Sequence, residues 1–209
     1  MNDLQVSDLF LQSRGPYTFR IAPGQVAGLQ GASGAGKTLL LRAIADLDPH
    51  QGQVRLGDMA REQVPAPMWR KTVAMLPAES FWWFDAVGDH FQVPVQAIEA
   101  TLQQLGFEPD VLSWEVSRLS TGEKQRLAIV RLLQNTPRAL LLDEPTASLD
   151  AENIERTETL LVDYCRQQQV PLLWVSHDTQ QLERVADDLL YYLESDGTLQ
   201  EVRGGQHGC

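Results

Sequence analysis

A glycine-rich segment ends in a lysine and a threonine, a composition suited to holding phosphate groups. It matches the pattern G-x-x-x-x-G-K-[ST] in full. Glycines let successive backbone N–H groups turn toward phosphate oxygens, and the helix that follows directs its positive end at the same anion. We predict that Lys37 contacts the β- and γ-phosphates of a nucleotide and that Thr38 is a ligand of Mg²⁺. The complete segment reads Gly31, Ala32, Ser33, Gly34, Ala35, Gly36, Lys37 and Thr38.

A second group of chemically useful residues follows an apolar run at 139–142. Asp143 and Glu144 stand where a buried strand is expected to end, and ligands of open α/β sheets lie at the carboxyl ends of strands. Asp143 suits Mg²⁺, directly or through water. Glu144 is placed to orient and activate an attacking water. The alternative is a surface Asp-Glu pair that caps a loop, which the neighbouring phosphate loop makes the weaker interpretation.

The elements that must position these residues alternate between short apolar runs and helical patterns. This alternation predicts an α/β fold with a mainly parallel central sheet, a helix over 37–45 and a small antiparallel sheet near the N-terminus. We assign the core to about 1–77 and 137–209 and an inserted helical subdomain to about 78–136, with helical spacing over 95–105. The predicted strands are 25–30, 72–76, 139–143, 172–176 and a hairpin of 189–193 with 198–203.

Composition limits the classes of function. The net charge of −11 argues against nucleic acid as the main ligand and against direct adhesion to anionic lipid. The N-terminal residues lack the pattern of a signal peptide, and no apolar run is long enough to span a bilayer. The cysteines, Cys165 and Cys209, form neither a metal-ligand pair nor a disulfide framework. We expect Cys165 to be a packed thiol and Cys209 to lie in a mobile tail.

Three further segments resemble motifs of one family. Residues 119–126, LSTGEKQR, resemble the signature motif of ABC ATPases, which is usually written L-S-G-G-Q. Residues 147–150 resemble the family's D-loop, and residues 175–178 resemble the segment that carries its switch histidine. Together with the phosphate loop and the acidic strand end, five motifs occur in the family's order between Gly31 and Asp178. The chain is identified on this basis as a member of the ABC ATPases.

The resemblance implies a P-loop NTPase core of ABC type that uses ATP and Mg²⁺ in a composite site. Two cassettes pair head to tail as a homodimer, so that ATP on the phosphate loop of one copy meets Ser120 and Gly122 of the other. It also implies that His177 contacts the γ-phosphate and the water, and that Asp150 communicates across the dimer. The alternative for His177 is a strand-end histidine in a satisfied hydrogen bond.

The sequence departs from the family pattern at three positions. Thr121 stands where a glycine is common, and Glu123 replaces the usual glutamine of the signature motif. Ala78 occupies the position of the Q-loop glutamine, which normally helps to hold Mg²⁺ and reports to the membrane partner. Either that role is empty in this chain or it passes to Glu79, and we predict that Glu79 takes over part of the work at the metal.

Aromatic residues raise two further hypotheses. Phe10, or else Tyr17, is expected to stack on adenine, with packing inside the antiparallel sheet as an equal alternative. Four rings follow Ala78 in a row, at residues 81–84. Successive rings cannot all point into one core, so some are expected to be exposed and to form a partner site. We predict that Trp82 or Trp83 anchors a permease, with filling of the joint between subdomains as the alternative.

The function predicted from the sequence is that of an energy-coupling subunit. It would bind and hydrolyse ATP in the cytoplasm, peripheral to the inner membrane, and drive an integral membrane permease on a separate chain. The segments LSTGEKQR, LLLDEPTASLD and LLWVSHD are similar to those of Fet-type cassettes, a bacterial group associated with iron export. The alternatives are a cassette for another substrate, a soluble ABC ATPase that acts on DNA or ribosomes, and an ATP-gated binding module without turnover.

Overall fold

A computed structural model describes residues 2–11 and 14–203. Its smaller sheet has four antiparallel strands in the order β2-β1-β4-β5, which confirms the predicted N-terminal antiparallel sheet. Its strands are β1 (Leu4–Leu11), β2 (Arg14–Ile21), β4 (Gln51–Leu56) and β5 (Met59–Ala60).

The larger sheet has six strands in the order β10-β9-β3-β8-β7-β6. Every neighbouring pair is parallel except β9 with β10, which form the predicted hairpin. The predicted strands agree with the observed ones to within one residue at each end, and the α/β fold class is confirmed. The strands are β3 (Val26–Gly31), β6 (Val73–Leu76), β7 (Ala139–Asp143), β8 (Leu172–Val175), β9 (Leu189–Leu193) and β10 (Leu199–Arg203).

Alternate residues of the central strands enter two different hydrophobic clusters. Leu141 of β7 packs into the cluster shared with the four-stranded sheet, whereas Leu140 and Leu142 pack into the cluster on the opposite face. A strand covered on both faces needs apolar residues at every position, since successive side chains point to opposite sides. The continuous run of leucines is therefore the consequence of a doubly covered sheet.

Six α-helices cover the sheets within the described residues. The predicted helix over 95–105 is interrupted: a 3₁₀ turn over Val95–Ala97 comes first, and the α-helix begins only at Glu99. The signature helix begins at Thr121, because Ser120 caps it. The helices are α1 (Lys37–Ile44), α2 (Ala66–Thr72), α3 (Glu99–Gln104), α4 (Thr121–Leu133), α5 (Ala151–Gln168) and α6 (Thr179–Val185).

No helix in the described ranges is both long and apolar enough to cross a membrane.

The structure also describes one of the two cysteines. Cys165 is buried, and its thiol donates a hydrogen bond to the Val170 carbonyl at 2.9 Å. Burial raises the pKa of the thiol to about 12. A thiol with so high a pKa is a poor nucleophile, which agrees with a packing role. Cys209 lies outside the described residues.

Candidate nucleotide site

The glycine-rich loop connects the end of β3 to the start of α1. Gly34 and Gly36 have φ values of 78° and 106°, in the left-handed region that favours glycine. No side chain caps the N-terminus of α1, and no acidic residue lies in its first turn. The amides of the first helical turn thus remain available for an anion, and the partial positive charge of the helix end favours one.

Lys37 lies across the loop that it follows. Its Nζ donates hydrogen bonds to the carbonyl oxygens of Gly31 at 2.7 Å and of Ala32 at 3.1 Å. These bonds hold the ammonium group beside the loop amides, where its positive charge would attract a bound phosphate.

Thr38 and Asp143 meet although 105 residues separate them. The Thr38 hydroxyl donates to the Asp143 carboxylate at 2.7 Å, and Asp143 is only 3% exposed. Both are hard oxygen donors of the kind that Mg²⁺ prefers. Glu79, in contrast, is exposed, and Ala78 rather than Glu79 lines the adjacent cleft. The metal role of Glu79 therefore stays a prediction.

Glu144 and His177 form a pair beyond the ends of β7 and β8. His177 Nδ1 lies 2.9 Å from the Glu144 carboxylate, and because a carboxylate can only accept, the ring nitrogen donates. The Glu144 side chain is 19% exposed and that of His177 is 75% exposed. Glu144 also has a left-handed φ of 48°, an unusual conformation for a residue with a side chain. The carboxylate is thus held in place by its backbone and by the imidazole.

These residues surround one cleft of 340 Å³. His177 reaches it only through Glu144, since the imidazole itself is not part of the wall. The wall consists of Ser33, Gly34, Gly36, Lys37, Thr38, Leu39, Ala78, Asp143 and Glu144.

The remaining predicted site residues, Ser120, Gly122 and Asp150, line a second cleft of 310 Å³ that shares no residue with the first. A Cβ atom on Gly122 would lie 3.0 Å from the carbonyl oxygen of Ser148, so this glycine lets the signature segment approach the loop before Asp150. Asp150 caps α5 by accepting from the Asn153 amide at 2.9 Å. One copy of the chain therefore holds the predicted site as two separate halves.

Glu123, one of the departures from the family pattern, engages Ser120 directly. Its carboxylate accepts from the Ser120 amide at 2.8 Å and from the hydroxyl at 2.7 Å. Burial acts to raise the pKa of Glu123, but hydrogen bonds from Ser120 and the charges of Arg126 and Arg118 outweigh it, so the pKa is lowered. A carboxylate thus holds the serine hydroxyl, and a phosphate that uses this hydroxyl would have to displace it.

Of the two residues predicted to stack on adenine, only Phe10 remains a candidate. Phe10 is 38% exposed, whereas Tyr17 is 1% exposed within the antiparallel sheet. The prediction for Tyr17 is wrong, because a ring with no open face cannot stack on a base. Sequence reasoning also missed Arg14, whose guanidinium donates to the phosphate-loop carbonyls of Ala35 and Gly34. No local motif marks Arg14, because only the packing of β2 beside the loop brings it there.

The row of aromatic residues behind Ala78 is largely exposed, as the sequence predicts. Phe81 is 71%, Trp83 63% and Phe84 49% exposed, but Trp82 packs against the hydrophobic cluster of α4 and α5. Sequence reasoning missed the residue that orders them. His90 is 4% exposed, and its Nε2 accepts hydrogen bonds from the amides of Trp83 at 3.0 Å and Phe84 at 3.1 Å.

This arrangement of His90 predicts a pH effect. Burial lowers the pKa of His90 below its ordinary value of 6.5, although hydrogen bonds to the Ala86 and Val87 carbonyls oppose the shift. A lowered histidine pKa means that the unfolded chain binds the proton more readily. The stability due to neutral His90 is therefore complete above pH 6.5 and is lost progressively as the pH falls below that value.

We expect the free energy of unfolding to fall more steeply on acidification in the wild type than in His90→Gln. A glutamine oxygen can still accept from the two amides, whose hydrogen bonds are worth about 0.5–1.5 kcal/mol each, but it does not titrate. Urea unfolding between pH 7 and about pH 5 measures the difference. His50→Gln is the matched control and should follow the wild type. Identical pH profiles for wild type and His90→Gln would contradict the assignment.

Comparison with known proteins gives concordant results. The sequence pattern of the family described as "ABC transporter" matches residues 15–147. The chain is 33% identical over 193 residues to the tungstate uptake system ATP-binding protein TupC of Peptoclostridium acidaminophilum, covering 87% of this chain and 86% of that protein. It is 29% identical over 195 residues to the "Probable iron export ATP-binding protein FetA" of Escherichia coli K12, covering 88% and 86%.

A solved structure supports the same fold. A bacterial Atm1-family ABC exporter with ATP bound superposes with a TM-score of 0.83 at 21% sequence identity. The match covers 96% of this chain and 38% of the exporter chain. At this level of identity the similarity establishes the arrangement of elements around the site and nothing finer.

Proposed function

This chain belongs to the ABC transporter family of ATP-binding cassettes, and from that premise we propose that it binds and hydrolyses ATP to drive a separate membrane permease. Family membership makes it an ATPase of the kind that is coupled to transport. In this proposal the chain acts at the cytoplasmic face of the inner membrane, through its membrane partner.

The proposal rests on one observation: two side-chain pairs, Thr38 with Asp143 and Glu144 with His177, lie beside the phosphate loop. Lys37 and the loop amides bind the phosphates, and Arg14 steadies the loop. Thr38 and Asp143 fit Mg²⁺, which supplies neutralisation of phosphate charge when bound. Glu144 accepts the proton of the attacking water, and His177 orients this carboxylate through the 2.9 Å hydrogen bond.

The division of the site into two clefts supports a head-to-tail dimer. Ser120 and Gly122 lie in a different cleft from Lys37, so they reach a nucleotide only if a second copy supplies it. The N-terminus of α4, capped by Ser120, would then present its amides to the γ-phosphate of the partner's ATP. Asp150, in the same cleft, would lie at the contact between the two copies.

The proposal is stated at the level of transport and leaves the substrate open. The iron export protein supports the metal-export hypothesis from the sequence, but the tungstate relative is named for uptake of an oxyanion. These relatives differ both in direction and in substrate. Action on DNA or ribosomes is the weaker alternative, because a net charge of −11 opposes a polyanion.

Replacement of the phosphate-loop lysine tests the proposal. We expect Lys37→Ala to weaken ATP binding by at least about 100-fold, because the loop loses its charge-assisted contact to the β- and γ-phosphates. Fluorescent nucleotide titration and a phosphate-release assay with Mg²⁺ or EDTA measure binding and turnover. Arg166→Ala removes a positive charge from the far end of α5 and serves as the control. Magnesium-dependent hydrolysis that survives Lys37→Ala would refute the assigned site.

A further inference from the structure

A buried group of three polar side chains lies near the Glu144–His177 pair but outside the cleft around the phosphate loop. Its centre is Gln181 of α6, which is only 4% exposed. The Nε2 atom of Gln181 donates hydrogen bonds to the Thr146 hydroxyl at 2.7 Å and to the Glu158 carboxylate at 2.8 Å. Thr146 is buried as well, and Glu158 is half-buried. We call these three residues the Gln181 junction.

The junction connects three segments that carry different parts of the site. Thr146 follows Glu144 by two residues. Glu158 lies on α5, the helix that Asp150 caps, and Gln181 lies on α6, the helix that begins just after His177. One side-chain amide therefore joins the loop of the carboxylate, the helix of the predicted dimer contact and the helix behind the histidine.

The loop after β7 needs attachment at both ends. Glu144 has a left-handed φ of 48°, and a residue with a side chain stays in this conformation only where its surroundings hold it there. Its amide donates to the Val175 carbonyl at 3.1 Å, which fixes the start of the loop. The bond from Gln181 to Thr146 fixes the chain two residues later. The backbone that aims the Glu144 carboxylate is thus held from two sides.

The same junction is continuous with the segment that carries His177. The Gln181 amide donates to the Asp178 carboxylate at 3.2 Å, and the Asp178 amide donates to the buried Ser176 hydroxyl at 3.1 Å. His177 therefore lies between two residues of one hydrogen-bonded series. A shift at Gln181 would change the position of the imidazole relative to the Glu144 carboxylate.

Gln181 matches the polarity of its neighbours, which an apolar residue of the same size would not. A glutamine amide has two N–H donors, and here both meet acceptors. Arg184 also pairs with the Glu158 carboxylate, at 2.9 Å. This carboxylate therefore keeps a partner when Gln181 is replaced, so a replacement is expected to fold while the loop loses its attachment through Thr146.

We propose that Gln181 is a positioning residue for ATP hydrolysis. It ties the loop that carries Glu144 to the helix behind His177, and so keeps the carboxylate where it accepts the proton of the attacking water. This inference rests on the proposed function, which supplies the hydrolysis reaction, and adds a residue that acts on the reaction without contacting the nucleotide cleft.

Replacement of Gln181 by a residue of similar length tests the proposal. We expect Gln181→Met to lower kcat about 10–100-fold, because small displacements of a reacting group have effects of this size. The KM for ATP should stay within about twofold of the wild type, since the phosphate loop is unchanged. Phosphate release at varied ATP concentration measures both constants. Gln180→Met makes the same change at the exposed neighbouring position and should keep the wild-type rate.

A reversal of polarity separates positioning from packing. Gln181→Glu alone places a second carboxylate against Glu158 and should lower kcat, although the side chain keeps its size. Glu158→Gln in the same chain supplies an amide that donates to the new carboxylate, which also accepts from the Thr146 hydroxyl. We expect this double variant to recover kcat to within about threefold of the wild type, as a direct interaction between the two positions requires.

The outcomes of these measurements decide the inference. A folded Gln181→Met with the kcat of the wild type would overturn it. So would a double variant that is no more active than Gln181→Glu alone. If Gln181→Met fails to fold by circular dichroism, the comparison of Gln181→Glu with the double variant decides by itself.

Amide hydrogen exchange separates this inference from the function on which it rests. The amides of Ala147 and Leu149 donate to the carbonyls of Glu144 and Thr146, and they should exchange faster in Gln181→Met and normally in the double variant. Unchanged exchange would overturn the attachment of the loop. Hydrolysis that is insensitive to Gln181→Met would overturn the inference alone. A wild-type chain that hydrolyses no ATP, with exchange as expected, would overturn the proposed function and leave the attachment of the loop in place.

Discussion

Glu144→Gln is expected to lower steady-state ATP hydrolysis by about 10²–10⁴-fold, the range typical of a lost general base. The amide keeps the shape of the carboxylate but cannot accept the proton of the attacking water. Binding of ATP should persist, because Lys37, Thr38 and the loop amides are unchanged. Phosphate release measures the loss of turnover, and fluorescent nucleotide titration measures the retained affinity.

Glu183→Gln is the matched control for this experiment. It makes the same change of charge on an exposed face of α6, outside the cleft around the phosphate loop. We expect it to hydrolyse ATP at the wild-type rate. If Glu144→Gln also hydrolysed ATP at that rate, the residue that activates the water would have to be another one.

The parts of the site that could be predicted from sequence are those in which the chemistry is local. The phosphate loop is contiguous, and Asp143 and Glu144 follow one buried strand. Their assembly with His177 follows from a general rule, since carboxyl ends of parallel strands meet at one edge of the sheet. The pairing of β7 with β8 fulfils this rule and brings Glu144 to His177.

The sequence itself contains a pattern that argues against Tyr17 as an adenine contact. Tyr17, Phe19 and Ile21 alternate with exposed residues along β2, and all three are buried. A period of two places such residues on one face of a strand, and that face packs inward here. The alternation was therefore a better guide than the aromatic character of the ring.

Other features depend on contacts that no local pattern encodes. Arg14 reaches the phosphate loop because β2 packs beside it, and His90 orders two rings six and seven residues earlier through backbone amides. The row of rings predicted that some would be exposed, but it could not show that Trp82 is the one turned toward α4. The role of Trp83 as an anchor stays a prediction.

The second prediction with a large expected effect concerns the ATP-dependent formation of a dimer. With Glu144→Gln in the background, Mg²⁺ and ATP should convert the chain from a monomer to a dimer, because the nucleotide is retained and bridges the two half-sites. Adding Ser120→Arg should leave a monomer under the same conditions. The arginine fills the cleft that must accept the partner's phosphate and removes the hydroxyl that would contact it. Loss of the α4 cap costs about 1 kcal/mol, too little to unfold a domain.

Size-exclusion chromatography with light scattering measures this transition, and circular dichroism confirms that each variant is folded. Ser113→Arg introduces the same side chain at an exposed serine outside the half-site, and it should still form the ATP-dependent dimer. If the dimer still formed with Ser120→Arg, the cleft around Ser120 would not be part of the contact between the two copies. A chain with Glu144→Gln alone that stays monomeric with ATP would contradict self-pairing. The second half-site would then have to come from a different cassette, since Ser120 and Lys37 of one copy lie in separate clefts.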